Sequence, residues 1–217
     1  MLPFTFAGQS FHLLRDRALL WTEHRALIVA DLHLEKASWF ARTGQHLPPY
    51  DSVATLTRLT RIADMCDAAE IWALGDNFHD DAGPERLDKG ALALIDRLAS
   101  KRAIRWITGN HDDSATMPGE QMVEAVVDGI VLRHHASRAE SRPEISGHFH
   151  PSIRITAPGR TIRRACAVMD EKKLIVPAFG SLTGTLDCNA PPIREIVATA
   201  ALALVATNGG GRQFTLG

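Results

Sequence analysis

The sequence is short of the residues that mark several classes of protein. Its three cysteines, Cys66, Cys166 and Cys188, are too few and too scattered for a disulfide framework or a cysteine zinc site. Aromatic residues make up only 6% of the 217 positions, which disfavours an extended platform for stacking nucleobases. The net charge of −1 provides no overall attraction to nucleic acid or to an anionic membrane. The composition therefore argues against a disulfide-rich secreted protein and against a strongly basic nucleic-acid-binding protein.

The sequence also has no long hydrophobic run. The longest apolar stretch, around residues 198–206, is far shorter than the roughly 20 residues that cross a bilayer. The N-terminal segment MLPFTFAGQS lacks the basic stretch and apolar core of a secretory signal. We therefore expect a cytoplasmic protein without a membrane segment. With 45% hydrophobic residues the chain can bury a sizeable core, and we expect a single domain over residues 1–217.

In the first half of the chain, hydrophobic runs alternate with amphipathic segments. Strands are predicted at residues 25–30, 71–74 and 104–108. One helix is predicted to begin near Asp51, a suitable N-cap, and another at Pro84, which is followed by an apolar stripe from Leu87 to Leu98. This β-α-β-α-β pattern predicts a parallel sheet covered by helices.

After residue 120 the pattern changes to short strands. Asp128-Gly129 predicts a hairpin between residues 123–127 and 130–133. Further strands are predicted at residues 144–146, 153–156, 162–169 and 174–178. Residues 201–216 are predicted to form two strands around residues 208–211, although their alanine content also allows a helix. We expect this half to be mostly antiparallel, and the chain to form an α/β fold with two sheets between layers of helices.

Four short motifs each follow a predicted strand. They are DLH (31–33), GDN (75–77), GNHD (109–112) and GHFH (147–150). Ligands of open α/β sheets collect beyond the carboxyl ends of the strands, so these motifs are expected to meet there. Together they offer carboxylate, amide and imidazole groups, which suit two divalent metal ions.

The spacing within the motifs supports this interpretation. Asp31 and His33, like the two histidines of GHFH, are two residues apart, so in an extended segment each pair points to one side. A further imidazole, from His134 or His135, follows the predicted hairpin strand. The alternative is that the aspartates and asparagines of these motifs are ordinary turn residues. Four motifs in the same context favour metal binding over that alternative.

The four motifs resemble those of the calcineurin-like metallophosphoesterase superfamily. Longer segments are similar to the DNA-ligase-associated DNA damage response endonucleases, the PdeM group of that superfamily. These segments are ADLHLEKASWFARTGQHLPPYD (30–51), LGDNFHD (74–80), ISGHFHP (145–151) and VPAFGSLTG (176–184). The likeness covers nearly the whole chain.

The resemblance implies the family's sandwich of two mixed sheets flanked by helices (α-β-β-α layers), with a site for two metal ions. The first ion would be held by Asp31, His33, Asp76 and His150, and the second by Asp76, Asn110, His134 and His148, with Asp76 shared. We choose His134 over His135 because it is the first residue after the strand, which leaves His135 outside the ligand set. Mn²⁺ is the favoured ion, with Fe or Zn²⁺ as alternatives.

The resemblance also assigns a catalytic role to His111. This residue directly follows a metal ligand, and we expect it to act as a general acid or to stabilise charge on the leaving oxygen. Asp112 or Asp113 is a candidate to orient its ring, the alternative being a helix N-cap or a turn. His79 and Asp80 are candidates for hydrogen bonds to a metal ligand.

Seven arginines lie near the later motifs in the sequence: Arg133, Arg138, Arg142, Arg154, Arg160, Arg163 and Arg164. Because arginine forks suit phosphate oxygens, we assign Arg133, Arg138 and Arg154 as candidate substrate-binding residues. The alternative is that these arginines occupy solvated strand faces. Trp39 and Phe40 are candidates for a single stacking contact with a base, or for a cap on the core.

Together, the residues and the resemblance predict a dinuclear metal-dependent phosphoesterase. The two ions would clamp the phosphate and activate a bridging water for attack on phosphorus. The expected substrate is DNA, cut by an endonuclease or phosphodiesterase in DNA repair, and the resemblance implies an ATP-dependent DNA ligase, a helicase and an exonuclease as partners. The alternatives are a small-molecule phosphatase or cyclic-nucleotide phosphodiesterase, and a non-enzymatic scaffold in a repair assembly.

Overall fold

The computed structural model describes residues 1–112 and 114–217. Its first sheet contains seven strands, arranged side by side in chain order. They are β1 (Leu2–Phe6), β2 (Gln9–Leu13), β3 (Leu19–Trp21), β4 (Ala26–Val29), β5 (Glu70–Leu74), β6 (Ala103–Ile107) and β7 (Glu120–Met122). Strands β1 to β4 form an antiparallel meander, and β4 to β7 pair in parallel. The predicted parallel sheet of the first half is therefore confirmed.

The second sheet also has seven strands, in the order β17-β16-β13-β14-β10-β9-β8. Their ranges are β8 (Glu124–Val127), β9 (Ile130–Arg133), β10 (Glu144–Ser146), β13 (Ala167–Met169), β14 (Lys173–Ile175), β16 (Leu202–Thr207) and β17 (Gly210–Thr215). The expectation of a mostly antiparallel second half is wrong at the centre of this sheet, where β9, β10 and β14 pair in parallel. The reason is that residues 134–143 lead the chain back to the end of the sheet where β9 begins, so that β10 runs in the same direction as β9. The two predicted C-terminal strands are confirmed.

A small third sheet contains β11 (Pro151–Ala157), β12 (Arg160–Ala165) and β15 (Leu186–Asp187). The single strand predicted over residues 162–169 is therefore wrong, because that segment divides between β12 of this sheet and β13 of the second sheet. The division falls at Cys166, whose N–H still donates to the carbonyl of Pro151 at 3.0 Å. The chain then passes to the second sheet, where β13 pairs with β14 and β16.

Within the residues that the structure describes, five helices complete the fold: α1 (Lys36–Arg42), α2 (Asp51–Met65), α3 (Gly83–Arg86), α4 (Lys89–Ala99) and α5 (Pro191–Arg194). The apolar sides of α2 and α4 pack on the outer face of the first sheet, and a second core lies between the two large sheets. A third core lies on the far side of the second sheet under α5 and β11. The predicted α/β sandwich of two mixed sheets with flanking helices is confirmed. None of the helices in the described part of the chain has the length and apolarity of a bilayer crossing.

The predicted start of a helix near Asp51 is confirmed, but its capping residue and the helix predicted from Pro84 need correction. Asp51 is the first residue of α2 rather than its N-cap, which is Tyr50 in a left-handed conformation. The Asp51 carboxylate instead accepts from the N–H of Ala37, at 3.2 Å, and so ties α1 to α2. Pro84 lies in the first turn of α3, which has only four residues. The predicted apolar stripe belongs mostly to α4, which Asp88 caps by accepting from the N–H of Ala91 at 2.7 Å.

Candidate metal centre

Both large sheets bring the carboxyl ends of their parallel strands to one rim of the molecule. Asp31 follows β4, Asp76 follows β5 and Asn110 follows β6 in the first sheet. From the second sheet, His134 follows β9 directly and His148 lies just beyond β10. Ligand sites of open α/β sheets form at such rims, since the chain leaves every strand there in a loop.

Six side chains at this rim form two groups that could each hold a metal ion. We call them the Asp31 group (Asp31, His33 and His150) and the Asp76 group (Asp76, His134 and His148). In each group, one donor atom from every residue lies within 4.8 Å of the others. The two groups fall within the two ligand sets implied by the family resemblance.

Asp76 lies between the two groups. Its Oδ1 is 3.4 Å from His134 Nε2, within its own group, and its Oδ2 is 3.8 Å from His33 Nε2 of the Asp31 group. The two carboxylate oxygens therefore face different groups, as a shared ligand requires. Asn110 belongs to the Asp76 side, because its Oδ1 lies 3.1 Å from His134 Nε2.

The structure distinguishes His134 from His135. His134 is buried, with Nδ1 3.0 Å from the carbonyl of Leu74 and Nε2 3.1 Å from His148 Nδ1. His135 is exposed, with its Nδ1 2.8 Å from the carbonyl oxygen of Ala136, and it belongs to neither group. His134, the candidate preferred from the sequence, is thus the histidine that belongs to the Asp76 group. The ring of His135 packs against that of His148 instead.

The backbone at the site departs from the extended geometry that the sequence suggested. Asp31 and His33 have φ values of 54° and 44°, and the same left-handed region holds Asp76, His148 and His150. The extended-segment explanation for the paired motifs is therefore wrong, and alternating left-handed residues bring the side chains together instead. Such conformations cost on the order of 1–3 kcal/mol each and cluster at functional sites. Backbone hydrogen bonds such as His33 N–H to the Asp76 carbonyl, at 2.9 Å, hold them in place.

Two motif glycines allow the loops to approach this closely. A Cβ on Gly109 would lie 2.1 Å from the backbone nitrogen of Asp76. A Cβ on Gly75, whose φ is +73°, would lie 2.4 Å from the ring of His134. Both positions therefore need a residue without a side chain if Asp76 and His134 are to keep their places.

We expect Gly75→Ala to lower the stoichiometry of bound Mn²⁺ from two ions towards one, because the added methyl group displaces His134 from the Asp76 group. Metal analysis of the dialysed protein would measure this. Gly129→Ala is the matched control, since Gly129 has nearly the same φ, +77°, but nothing within 4 Å of an added Cβ. Retention of two ions by the Gly75 variant would contradict the role given to His134.

The charges of the site depend on burial and on the Asp76–His134 pair. Burial alone would raise the pKa of Asp76, but the hydrogen bond and charge of His134 outweigh it and lower the pKa to about 2. Burial likewise favours a low pKa for His134, yet Asp76 and Asp31 raise it to about 9. Burial lowers the pKa of His33 to about 3, and burial with the charge of His134 lowers that of His148 to about 4. His33 and His148 are therefore neutral near pH 7, the form in which an imidazole binds a metal ion. His134 is protonated at that pH in the absence of an ion and would release its proton when it binds one.

The residues at the rim fit two divalent ions. Carboxylate oxygens mixed with imidazole nitrogens suit Mn²⁺, Fe or Zn²⁺. In addition, Nδ1 of His33 is buried and has no hydrogen-bond partner within the part of the chain described here. Buried polar atoms are rarely left without a partner, so this atom is consistent with a site built for a ligand.

His111 lies at the open side of the centre and belongs to neither group. Its side chain is 42% exposed, and its Nε2 is 3.9 Å from Asp76 Oδ2. Its backbone N–H donates to Asp76 Oδ1 at 3.1 Å, and its ring stacks on His79 with centroids 5.4 Å apart. The histidine is thus held near both groups while its ring remains accessible to a substrate.

The candidate orienting residue Asp112 has a different role. Its Oδ2 accepts from the N–H groups of Asn77, at 2.6 Å, and Phe78, at 3.1 Å, and its Oδ1 accepts from Gly109 at 2.8 Å. The suggestion that it orients His111 is therefore wrong, because its carboxylate is occupied in joining two motif loops. The other candidate, Asp113, lies outside the described residues.

An aromatic cluster borders His111 on its other side. His79 packs against His111, Trp39 and Phe40, with the Trp39 and His79 ring centroids 4.9 Å apart. Asp80 was predicted to hydrogen-bond a metal ligand, but its carboxylate instead accepts from the guanidinium of Arg86, in α3, at 3.0 Å. Lys36 was not among the predicted site residues. Burial lowers the pKa of its ammonium group, whereas the negative charges of Asp51 and Asp76 raise it. Its place directly after the DLHLE segment is the signal that could have indicated it.

The candidate substrate arginines lie in different surroundings. Arg133 borders a cleft of about 780 Å³ together with Asn110, His134 and His148, but its guanidinium is 2.8 Å from Glu124 and 3.3 Å from Glu140. Arg138 pairs with Glu195, and Arg154 is exposed and 3.8 Å from Asp187. Neither Arg138 nor Arg154 lines this cleft.

Two large mixed sheets with helices on their flanks, carrying their polar site on the common rim, define the metallophosphoesterase fold. Among solved structures, the crystal structure of Pseudomonas putida nuclease MPE is similar to this chain, with a TM-score of 0.73 and 30% sequence identity. The alignment covers 94% of this chain and 95% of that one. The chain therefore belongs to the family of that nuclease. No protein-family model and no curated protein matches the sequence.

Proposed function

We propose that this protein is a metal-dependent nuclease that hydrolyses phosphodiester bonds in DNA. The observation that carries the proposal is the pair of Asp/His groups joined by Asp76 at the rim of the sandwich. Membership of the family of a nuclease supports the choice of a phosphodiester substrate. The resemblance to DNA damage response endonucleases supports a place in DNA repair in the cytoplasm, with a ligase, a helicase and an exonuclease as partners.

In this proposal the Asp31 group with Asp76 holds one divalent ion, and the Asp76 group with Asn110 holds the other, Mn²⁺ being favoured. Bound ions supply Lewis-acid stabilisation of phosphate charge and lower the pKa of a water molecule. The chain contributes the positions of the donors. Asp76 accepts the N–H of His111, so that the residue that joins the two groups also positions the histidine beside them.

The side chain proposed to move a proton is His111. Hydrolysis of DNA releases a sugar alkoxide, which is a poor leaving group unless it receives a proton or a compensating charge. The ring of His111 is exposed on the substrate side and faces the space in front of Asp76. Its ring stacks on that of His79, and its Nε2 lies 3.9 Å from Asp76 Oδ2, so that a substrate held at the metal centre would have its leaving oxygen close to this nitrogen.

The test of the proposed function compares three substrates. Protein loaded with Mn²⁺ is expected to cleave a single-stranded oligonucleotide, and chelation of the metal should abolish the reaction. A cyclic nucleotide and an aryl phosphate monoester serve as the comparison substrates. Brisk hydrolysis of either small ester without cleavage of single-stranded, duplex or nicked DNA would favour the phosphatase or cyclic-nucleotide alternative instead.

A further inference from the structure

A second cleft, of about 660 Å³, is lined by three arginines, of which two belong to one turn and the third lies far away in the sequence. We call it the arginine cleft; its residues are Arg15, Arg17, Ile162, Arg164, Ala165, Ala206, Thr207, Asn208 and Gly209. No carboxylate is among these lining residues. The cleft therefore presents concentrated positive charge on a protein whose net charge is close to zero.

The arginines of this cleft are not neutralised as those near the metal centre are. Arg15 and Arg164 are exposed, and neither forms a salt bridge within the part of the chain that the structure covers. Asp16 is a carboxylate neighbour of Arg17, but it pairs with Arg61, outside the cleft, at 3.1 Å. By contrast, Arg133, Arg138 and Arg142 all pair with glutamates. Three guanidinium groups beside a single carboxylate that is itself paired with another arginine favour the binding of an anion.

The directions of the strands place the arginine cleft on the same rim as the metal centre. Strand β3 runs antiparallel to β4, so the turn between β2 and β3, which carries Arg15 and Arg17, lies at the carboxyl end of β4. In the second sheet β16 runs parallel to β14 and β10, so the turn at Asn208 and Gly209 lies at the carboxyl end of β10. Arg164 is near the end of β12 that pairs with the start of β11, which directly follows His150.

A short chain of hydrogen bonds links the two sites. Arg17 donates to the carbonyl of Gly180 at 3.2 Å, and the N–H of Gly180 donates to the carbonyl of Asp31 at 3.1 Å. The turn carrying Arg15 lies one to two strand spacings from β4, which corresponds to about 5–10 Å across the sheet. One extended nucleic-acid strand can therefore reach from the metal centre to the arginine cleft.

We propose that the arginine cleft binds backbone phosphates of a DNA strand whose neighbouring segment lies at the metal centre. The identity of the polymer rests on the proposed function, whereas the affinity for phosphate rests on the cleft itself. Contacts to backbone phosphates hold a nucleic acid in register without reading its sequence. The arginine cleft would let a nuclease bind DNA phosphates other than the one that is hydrolysed. Such contacts do not require aromatic residues for stacking on bases.

The experiment measures binding of the Mn²⁺-loaded protein to a short single-stranded phosphorothioate oligonucleotide by fluorescence anisotropy over a range of salt concentrations. The test variant is Arg15→Gln/Arg164→Gln. The matched control is Lys101→Gln/Lys172→Gln, which removes the same charge from exposed positions beyond the opposite ends of the strands. Losing two phosphate contacts should weaken binding by about tenfold near 0.15 M salt and reduce the salt slope by about 1.4.

The outcomes separate this inference from the proposed function. If the test variant binds DNA as tightly as the wild type, or loses only as much affinity as the control, the proposed role of the arginine cleft is wrong, even if the protein cleaves DNA. Cleft-dependent binding by a wild-type protein that cleaves no DNA upholds the cleft and contradicts the nuclease. Melting temperatures of both variants close to that of the wild type would show that the comparison is made on folded protein.

Discussion

Asp76→Ala is expected to remove both bound ions and to reduce DNA cleavage by about a thousandfold or more, to the background of the assay. The two oxygens of Asp76 face His134 on one side and His33 on the other, so a single substitution takes a donor from each group. It also removes the acceptor for the N–H of His111. Metal analysis and an oligonucleotide cleavage assay would measure the two losses.

The variant must be separated from simple unfolding. Asp76 and His134 form a buried pair, and removing one partner of such a pair costs about 3–5 kcal/mol of stability. Asp76→Asn keeps the shape and hydrogen-bonding capacity while removing the charge, so we expect a folded protein that still binds ions weakly. Asp67→Ala, at an exposed aspartate paired with Arg25, is the control and should behave like the wild type. Two tightly bound ions in a folded Asp76→Ala protein would contradict the shared role.

Much of the fold could be predicted because its signals are local. A hydrophobic run followed by Asp, Asn or His indicates where a strand ends, and parallel strands bring such ends together. The parallel pairing of β9, β10 and β14 could not be predicted in this way, because it depends on where residues 134–143 send the chain. The division at Cys166 was missed for a related reason, since the local sequence of residues 162–169 does not show that its two ends belong to different sheets.

For single residues of the site, too, the sequence does not show the contacts that depend on the tertiary fold. The motifs indicated Asp31, His33 and Asp76, but the left-handed backbone that brings these side chains together has no signature in a sequence without glycine at those positions. Asp112 seemed suited to orient His111, yet its partners are backbone N–H groups of loops that only the fold brings close.

The arginines illustrate why counting charge is not enough. Arg133 and Arg138 appeared equivalent to Arg164 in the sequence, but Arg138 pairs with Glu195, a residue 57 positions away. Arg15 and Arg17 come from the turn between β2 and β3 of the first sheet, and they join Arg164, on β12 of the third sheet, only through the tertiary fold. Which arginines are neutralised is a property of tertiary contacts, and this determines which of them remain available for phosphate.

His111→Ala is expected to leave both ions bound but to lower the rate of DNA cleavage by about 10²–10⁴-fold, the usual contribution of a positioned general acid. The same variant should lose far less activity on an aryl phosphodiester, because a phenolate leaves without needing a proton. Steady-state rates on both substrates, with metal analysis of each protein, would measure the difference. The prediction depends on the position of His111, near Asp76 but outside both Asp/His groups.

Two further variants determine whether a loss reflects proton transfer or packing. His111→Phe keeps a ring to stack on His79 but carries no proton to donate, so it should resemble His111→Ala on DNA. His46→Ala, at an exposed histidine outside the metal centre, should behave like the wild type. Recovery of DNA cleavage by His111→Phe would show that the ring matters for its packing. Equal losses on the alkyl and aryl diesters would instead place His111 in substrate binding, since help to a leaving group must depend on how poor that leaving group is.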